Sequence, residues 1–327
     1  MRSAGLAPRL GSVYRLANNS PHMTQDVSLV ARGLTRRYGT RAALHGIDLT
    51  LRRGDCLGLL GLNGAGKSTT LRILTGVIAP HAGSVSICGH SLADDAVAAK
   101  RHLGYLPDIP PLFVDARVDE YLALCAQLRE VADVGPAVER AKRRCGLGDV
   151  GARLIRNLSK GYQQRIGIAQ AIVHEPAVLV LDEPTVGLDP LQISDVRRLV
   201  RELARDRAVI LSTHLLAEVQ QICTRVAILH EGRLVHEGPL AGEECWLRLR
   251  LRAPASAPLL AAIGGVHAVK TTEDGAWLLQ VDTPATAEAI ASRVTADGLG
   301  LLELRAADSA IEQTFLELTR SGKVVAC

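Results

Sequence analysis

Gly61-Leu62-Asn63-Gly64-Ala65-Gly66-Lys67-Ser68 is the stretch on which the fold of this chain turns. It fits the G-x-x-x-x-G-K-[ST] spacing in full, follows the apolar run Cys56–Gly61, and precedes an amphipathic stretch from Thr69 to Val77 that predicts a helix. Glycines at 61, 64 and 66 let the backbone turn tightly and bring its N–H groups against phosphate oxygens, where a side chain would clash. The N-terminus of the following helix adds the positive end of its dipole. The residues from Gly61 to Thr69 are therefore expected to cradle the phosphates of a nucleotide. Lys67 would reach the β- and γ-phosphates, and the Ser68 hydroxyl would ligate Mg²⁺.

Further along, Val178-Leu179-Val180-Leu181-Asp182-Glu183 predicts a buried strand that delivers two adjacent carboxylates at its end. Side chains alternate in direction along a strand, so Asp182 can face a metal ion while Glu183 faces an attacking water. From Val27 to about Gly242, short Val/Leu/Ile-rich runs alternate with helical patterns, which predicts a largely parallel sheet covered on both faces. The runs Cys56–Gly61, Ala177–Asp182 and Ala208–Thr213 each end where polar residues begin, which places the site at strand carboxyl ends.

With these two motifs in place, Leu158-Ser159-Lys160-Gly161-Tyr162-Gln163-Gln164-Arg165 resembles the signature of the ABC ATPases, which commonly reads Leu-Ser-Gly-Gly-Gln. Lys160 replaces the first glycine and Tyr162 the glutamine, while Ser159 and Gly161 keep the hydroxyl and the backbone amide at a helix N-terminus. Other stations follow in the family's order. Tyr38 resembles the aromatic that stacks on adenine, Asp189 in Gly187-Leu188-Asp189-Pro190 lies in what resembles the loop coupling two sites, and His214 resembles the switch histidine that contacts the γ-phosphate. Asp108, after Leu106-Pro107, stands where many relatives carry a glutamine that touches Mg²⁺. Aspartate offers oxygens but is shorter than glutamate and adds charge, so an intervening water is one way for it to reach the ion.

The resemblance implies an α/β, P-loop NTPase fold with a helical subdomain at about 108–170. It implies ATP and Mg²⁺ as ligands, with Lys67, Glu183 and His214 in catalysis and Ser68, Asp182 and Asp108 around the metal. It further implies a sandwich dimer, with a copy of itself or a paired nucleotide-binding subunit, in which one subunit's loop and the other's Ser159–Gly161 segment hold each ATP. The acid after Leu-Pro, the Leu-Ser-Lys-Gly form of the signature and the C-terminal domain resemble ABC-2-type export subunits of the drug, polysaccharide or gliding-motility kind. Such a subunit works at the inner face of the cell membrane, in the cytoplasm, on a separate integral-membrane permease. The alternative is a soluble ABC ATPase that acts on nucleic acid or the ribosome. Long coiled coils, zinc-binding cysteines and a second nucleotide domain are absent from the sequence, so no nucleic-acid partner is expected.

The composition suits this reading. The 327 residues are 47% hydrophobic but only 3% aromatic, so the core must rest on Leu, Val, Ile and Ala, and aromatic stacking on nucleic acid has little to work with. The net charge of +4 demands no polyanion, and no apolar run reaches the roughly 20 residues of a membrane span. The seven cysteines lack CxxC pairing and read as reduced, mostly buried small hydrophobes. Residues 1–26 hold no acid before Asp26 and have some transit-peptide character, but read better as a disordered extension ahead of a first strand.

After Gly242 a second domain, 243–327, is expected. Trp246-Leu-Arg-Leu-Arg-Leu-Arg252 alternates strictly, as a half-buried strand does. Its arginines at 248, 250 and 252 could meet phosphate or lipid, but read better as the solvated face of an edge strand. The order β-α-β-β-α-β suggests a ferredoxin-like domain, with a last helix from Ser309 whose capping-box partner is Glu312.

Overall fold

The computed structural model describes residues 27–240, 245–272 and 274–307, together with Ile311 and Phe315. The expected N-terminal extension and most of the expected last helix lie outside the described residues.

Strands β1 (Val27–Tyr38) and β2 (Arg41–Arg52) form a long hairpin, followed by β3 (Cys56–Leu60) and helix α1 (Lys67–Leu74). Next come β4 (Ala82–Ile87), β5 (His90–Ser91), α2 (Ala96–Arg101) and β6 (Leu103–Leu106). A helical stretch of α3 (Val118–Leu128), α4 (Val134–Cys145) and α5 (Lys160–Ile172) then leads into β7 (Val178–Asp182). The alternation resumes with α6 (Pro190–Ala204), β8 (Ala208–Thr213), α7 (Leu216–Ile222), β9 (Arg225–His230) and β10 (Arg233–Pro239).

The order β10-β9-β3-β8-β7-β6 makes a six-stranded sheet in which only the β10 edge runs antiparallel. Strands β3, β7 and β8 are buried at every position, as continuous apolar runs between two covered faces should be. On one face Cys56, Leu179, Leu181, Val209 and Leu211 join a core with residues of α3 to α6. On the other, Leu57, Leu59, Val180 and Ile210 pack with α1 and a second sheet, β2-β1-β4-β5. That second sheet is antiparallel and corrects the single parallel sheet expected from the alternation. Its strands are half-buried and broken by several register shifts, so they carry little of the continuous apolar signal that marks the central strands.

The parallel register sets the site. Leu60 pairs with Thr213 and Asp182 with Ser212, so the loop after β3, the carboxylates after β7 and the end of β8 emerge side by side. Gly58 in β3 is needed for the packing beneath them. A Cβ there would come within 2.6 Å of Val219 Cγ1 and 3.0 Å of Cys223 Sγ, so α7 lies directly on the strand backbone.

Beyond residue 244 the elements are β11 (Cys245–Leu251), α8 (Ala257–Ala261), β12 (Val266–Thr271), β13 (Trp277–Val281), α9 (Thr286–Ala296) and β14 (Leu301–Ala306). The antiparallel order β12-β13-β11-β14 is the ferredoxin-like arrangement, and Leu247, Leu249, Leu260, Leu279, Ile290 and Val294 form its core. It corrects one expectation: β11 is an inner strand between β13 and β14, not an edge. Arg248 is accordingly enclosed by partners, Asp274 and, at 3.7 Å, Glu303, while Arg250 remains exposed. Ile311 is buried with Leu60, Val219, Val226 and Ile228 and so joins the core beside α7. Of the six described cysteines, all unpaired, only Cys56 and Cys145 are fully buried, so the expectation of mostly buried thiols holds for two.

Candidate active site

The loop between β3 and α1 needs its glycines. A Cβ on Gly61 would lie 2.5 Å from the Leu229 carbonyl oxygen, and one on Gly66, at φ 109°, would lie 2.9 Å from that of Ala43. Gly66 also occupies the N-cap position of α1 without a capping side chain, which leaves the first backbone amides of the helix to face the cleft. Helix α1 itself begins at Lys67 and ends at Leu74, two residues earlier at its start than the sequence pattern suggested and three earlier at its end.

A cleft of about 490 Å³ opens here, lined by Leu62, Asn63, Gly64, Gly66, Lys67, Ser68 and Thr69 of the loop, by Asp108, Asp182 and Glu183, and by Tyr38, Arg41 and Ala43 at its rim. The structure thus brings together most of the site residues expected from sequence. Gly61 takes part through its carbonyl oxygen, which accepts a hydrogen bond from Lys67 Nζ at 2.7 Å. Ala65 is buried under the loop, where its backbone holds Gly232. Tyr38 is 48% exposed, and the Arg36 guanidinium lies 5.2 Å from its ring centroid.

The charged groups are tightly arranged. Lys67, 7% exposed, lies 3.8 Å from Glu183 Oε1. Burial lowers the Lys67 ammonium's pKa, and the Glu183 and Asp182 carboxylates oppose that shift. Asp182 accepts a hydrogen bond from Ser212 Oγ at 2.5 Å. Its pKa is raised, first by burial and also by the charge of Asp108, while hydrogen bonds from Ser212 and Ser68 work the other way. Glu183 adopts a left-handed backbone, φ 47°, fixed by its N–H donating to Ser212 Oγ at 3.1 Å. That turn directs its carboxylate to His214, whose Nδ1 lies 3.1 Å from Oε2.

Two of these supports were not read from the sequence. Ser212 is the register partner of Asp182 near the end of β8, and its place as the first polar residue of an apolar strand was the available signal. Glu218, 1% exposed, accepts hydrogen bonds from Thr185 Oγ1 at 2.6 Å and Thr213 Oγ1 at 2.7 Å and faces Arg197 at 3.5 Å. It ties α7 to the segments carrying Glu183 and His214. No local pattern marked it, because its partners come from three separate segments.

Ser159, Gly161 and Asp189 are not among the residues lining the cleft. Ser159 caps α5, its Oγ accepting from the Tyr162 N–H at 3.4 Å, and Asp189 caps α6, accepting from the Gln192 N–H at 2.9 Å. The two caps adjoin, because a Cβ on Gly161 would meet Gln192 Cδ at 2.5 Å and one on Gly187 would meet Lys160 Nζ at 2.0 Å.

The family model described as ABC transporter matches residues 44–186. Over 299 residues the chain is 29% identical to the bacitracin transport ATP-binding protein BcrA of Bacillus licheniformis, covering 89% of this chain and 97% of that one. It is 37% identical over 219 residues to the Nod factor export ATP-binding protein I of Burkholderia orbicola, covering 63% of this chain and 69% of the relative. Among solved structures, an ATP-binding subunit of an ABC transporter aligns with a TM-score of 0.60 at 32% identity, over 65% of this chain and 90% of that one. The ordered site and these likenesses agree: the chain belongs to the ABC transporter ATP-binding subunits, the ATPases that drive transport through a membrane permease.

Proposed function

We propose that this chain hydrolyses MgATP in a sandwich dimer and powers an export permease. The observation that carries the residue roles is the Glu183 carboxylate, held between His214 Nδ1 at 3.1 Å and Lys67 Nζ at 3.8 Å beside buried Asp182. In this reading the loop Gly61–Thr69 and Lys67 hold the β- and γ-phosphates, and Tyr38 stacks on the adenine. Glu183 polarises the water whose oxygen attacks the γ-phosphorus. As that bond forms, the bond from the γ-phosphorus to the β-γ bridging oxygen breaks, ADP leaves, and His214 steadies the carboxylate.

The donor set fits Mg²⁺. Ser68 and Asp182, with Asp108 near them, offer only hard oxygen atoms, and a divalent cation would offset the burial and the Asp108 repulsion that raise the Asp182 pKa. The ion supplies charge neutralisation on the transferring phosphoryl group.

The signature segment takes its role from a second subunit, since Ser159 and Gly161 stand apart from the cleft of their own chain. We divide the chain into an ATP-binding domain at 27–242 and an accessory domain at 243–327. Export as the direction of transport rests on the relatives named for bacitracin transport and Nod factor export. Among the described residues no helix is long and apolar enough to cross a membrane, which agrees with a separate permease at the inner face of the cell membrane. Ile109, Phe113 and Leu128, exposed around the helical subdomain, are the apolar side chains we assign to that contact.

Glu183→Gln tests the assembly. With ATP it should form a stable dimer by light scattering; a variant that binds ATP normally yet stays monomeric overturns the sandwich. Co-purification of a polytopic membrane protein from detergent-solubilised membranes tests the coupling, and recovery of ribosomes or nucleic acid instead would refute it.

A further inference from the structure

The ends of the parallel strands away from the cleft frame a second cavity of about 360 Å³, lined by Arg53, His102, Arg144, Glu175, Asp206 and Arg207 among others. Its charges converge on one acid. Arg207 Nε lies 3.1 Å from Asp206 Oδ1, Arg144 Nη2 lies 3.4 Å from Asp206 Oδ2, and Arg53 Nε donates to the Asp206 carbonyl oxygen at 3.0 Å. Glu175 is engaged elsewhere, with Arg140 at 3.0 Å. Two guanidiniums therefore face the Asp206 carboxylate and a third its backbone carbonyl oxygen, which leaves two positive charges over.

Arg207 is 5% exposed, and its Nη1 is buried without a hydrogen-bond partner. A buried guanidinium nitrogen with nothing to donate to is costly. An anion that draws this side chain toward the cavity would remove that cost. The three arginines approach from three segments: the turn between β2 and β3, the last turn of α4, and the link between α6 and β8. Donors arriving from separate directions suit a tetrahedral dianion better than a planar carboxylate, which one arginine can satisfy in bidentate fashion.

We propose that this cavity is a second anion site, which takes the phosphate group of a small phosphorylated molecule against Arg53, Arg144 and Arg207. The position gives the site reach. Arg53 lies just ahead of β3, which runs into the phosphate loop, and Arg207 immediately precedes β8, which runs to His214. A ligand here therefore touches the origins of two strands whose far ends form the ATP cleft.

The test is isothermal titration with pyrophosphate on a Lys67→Ala protein, whose cleft lacks its phosphate-binding ammonium, and on the same protein carrying Arg53→Ala and Arg144→Ala. The latter pair is exposed and removable without emptying the core. Saturable binding that weakens at least tenfold in the triple variant supports the site. Absence of binding in Lys67→Ala, or equal binding in both proteins, overturns it. Malonate serves as the carboxylate control: if it binds Lys67→Ala as tightly as pyrophosphate does, the assignment to phosphate is wrong. Arg207→Lys, which keeps the charge and discards Nη1, should also weaken pyrophosphate binding.

Discussion

The two helix N-termini that we propose to meet phosphate are built in different ways. That of α1 starts at Gly66 with no capping side chain and is surrounded by Lys67, Asp182 and Glu183 from its own chain. That of α5 starts at Ser159, whose hydroxyl already accepts from Tyr162, and neither Ser159 nor Gly161 is among the described residues that line the cleft holding Lys67 and Glu183. The first brings together positioning, charge and the carboxylate that we propose to activate water. The second offers a dipole and a hydroxyl only, and in the proposed dimer it completes a site when another subunit brings the phosphate to it. In the proposed mechanism the chemistry is therefore local to one end of the sheet, while the requirement for a partner is lodged in α5.

The sharpest way to break this contrast is at Glu183. Glu183→Gln should lower ATP turnover by about 100-fold or more while ATP binding persists, as steady-state phosphate release and nucleotide titration would show. Near-normal turnover would mean that the α1 cleft does not contain the water-activating group. Glu218→Ala should be the next largest effect. It leaves Arg197 and two buried hydroxyls without their partner, so we expect a loss of about 3 kcal/mol in denaturant unfolding. Lys67→Ala follows, with ATP affinity falling by about 10- to 100-fold from loss of one charge-assisted contact, measured by fluorescent nucleotide titration.

The smallest change sharpens the comparison most. Ser159→Ala should cost about 1 kcal/mol in stability through loss of the α5 cap. Turnover should fall as well, but ATP affinity of the isolated subunit should not change. If affinity falls in step with turnover, α5 serves the nucleotide of its own chain and the proposed division between the two helices is wrong.

Much of this was legible from sequence because the deciding residues are close together in the chain. The loop at 61–68, the acids at 182–183 and the apolar strands β3, β7 and β8 announce themselves over a few residues each. The order of elements after residue 244 was equally readable, since strict alternation marks β11 and Gly275 separates β12 from β13. What escaped was decided by pairing. Whether β11 is an inner or an edge strand depends on β13 and β14, which lie many residues away, so the arginines at 248 and 250 look alike in sequence and differ in burial. The antiparallel sheet was missed for the same reason, and so was Glu218, whose three partners share no local pattern with it.

The bare backbone at Gly58 has a mechanical consequence. With no side chain between them, α7 packs directly on β3, so a side chain at 58 would press the helix next to His214 away from the strand that carries the phosphate loop. A methyl group there should cost about 1–3 kcal/mol in overpacking. Ile311 closes the same cluster of Leu60, Val219, Val226 and Ile228 from the far end of the chain. The core beside the strand that carries the phosphate loop thus includes a residue more than a hundred positions beyond Glu183, the last of the cleft's lining groups.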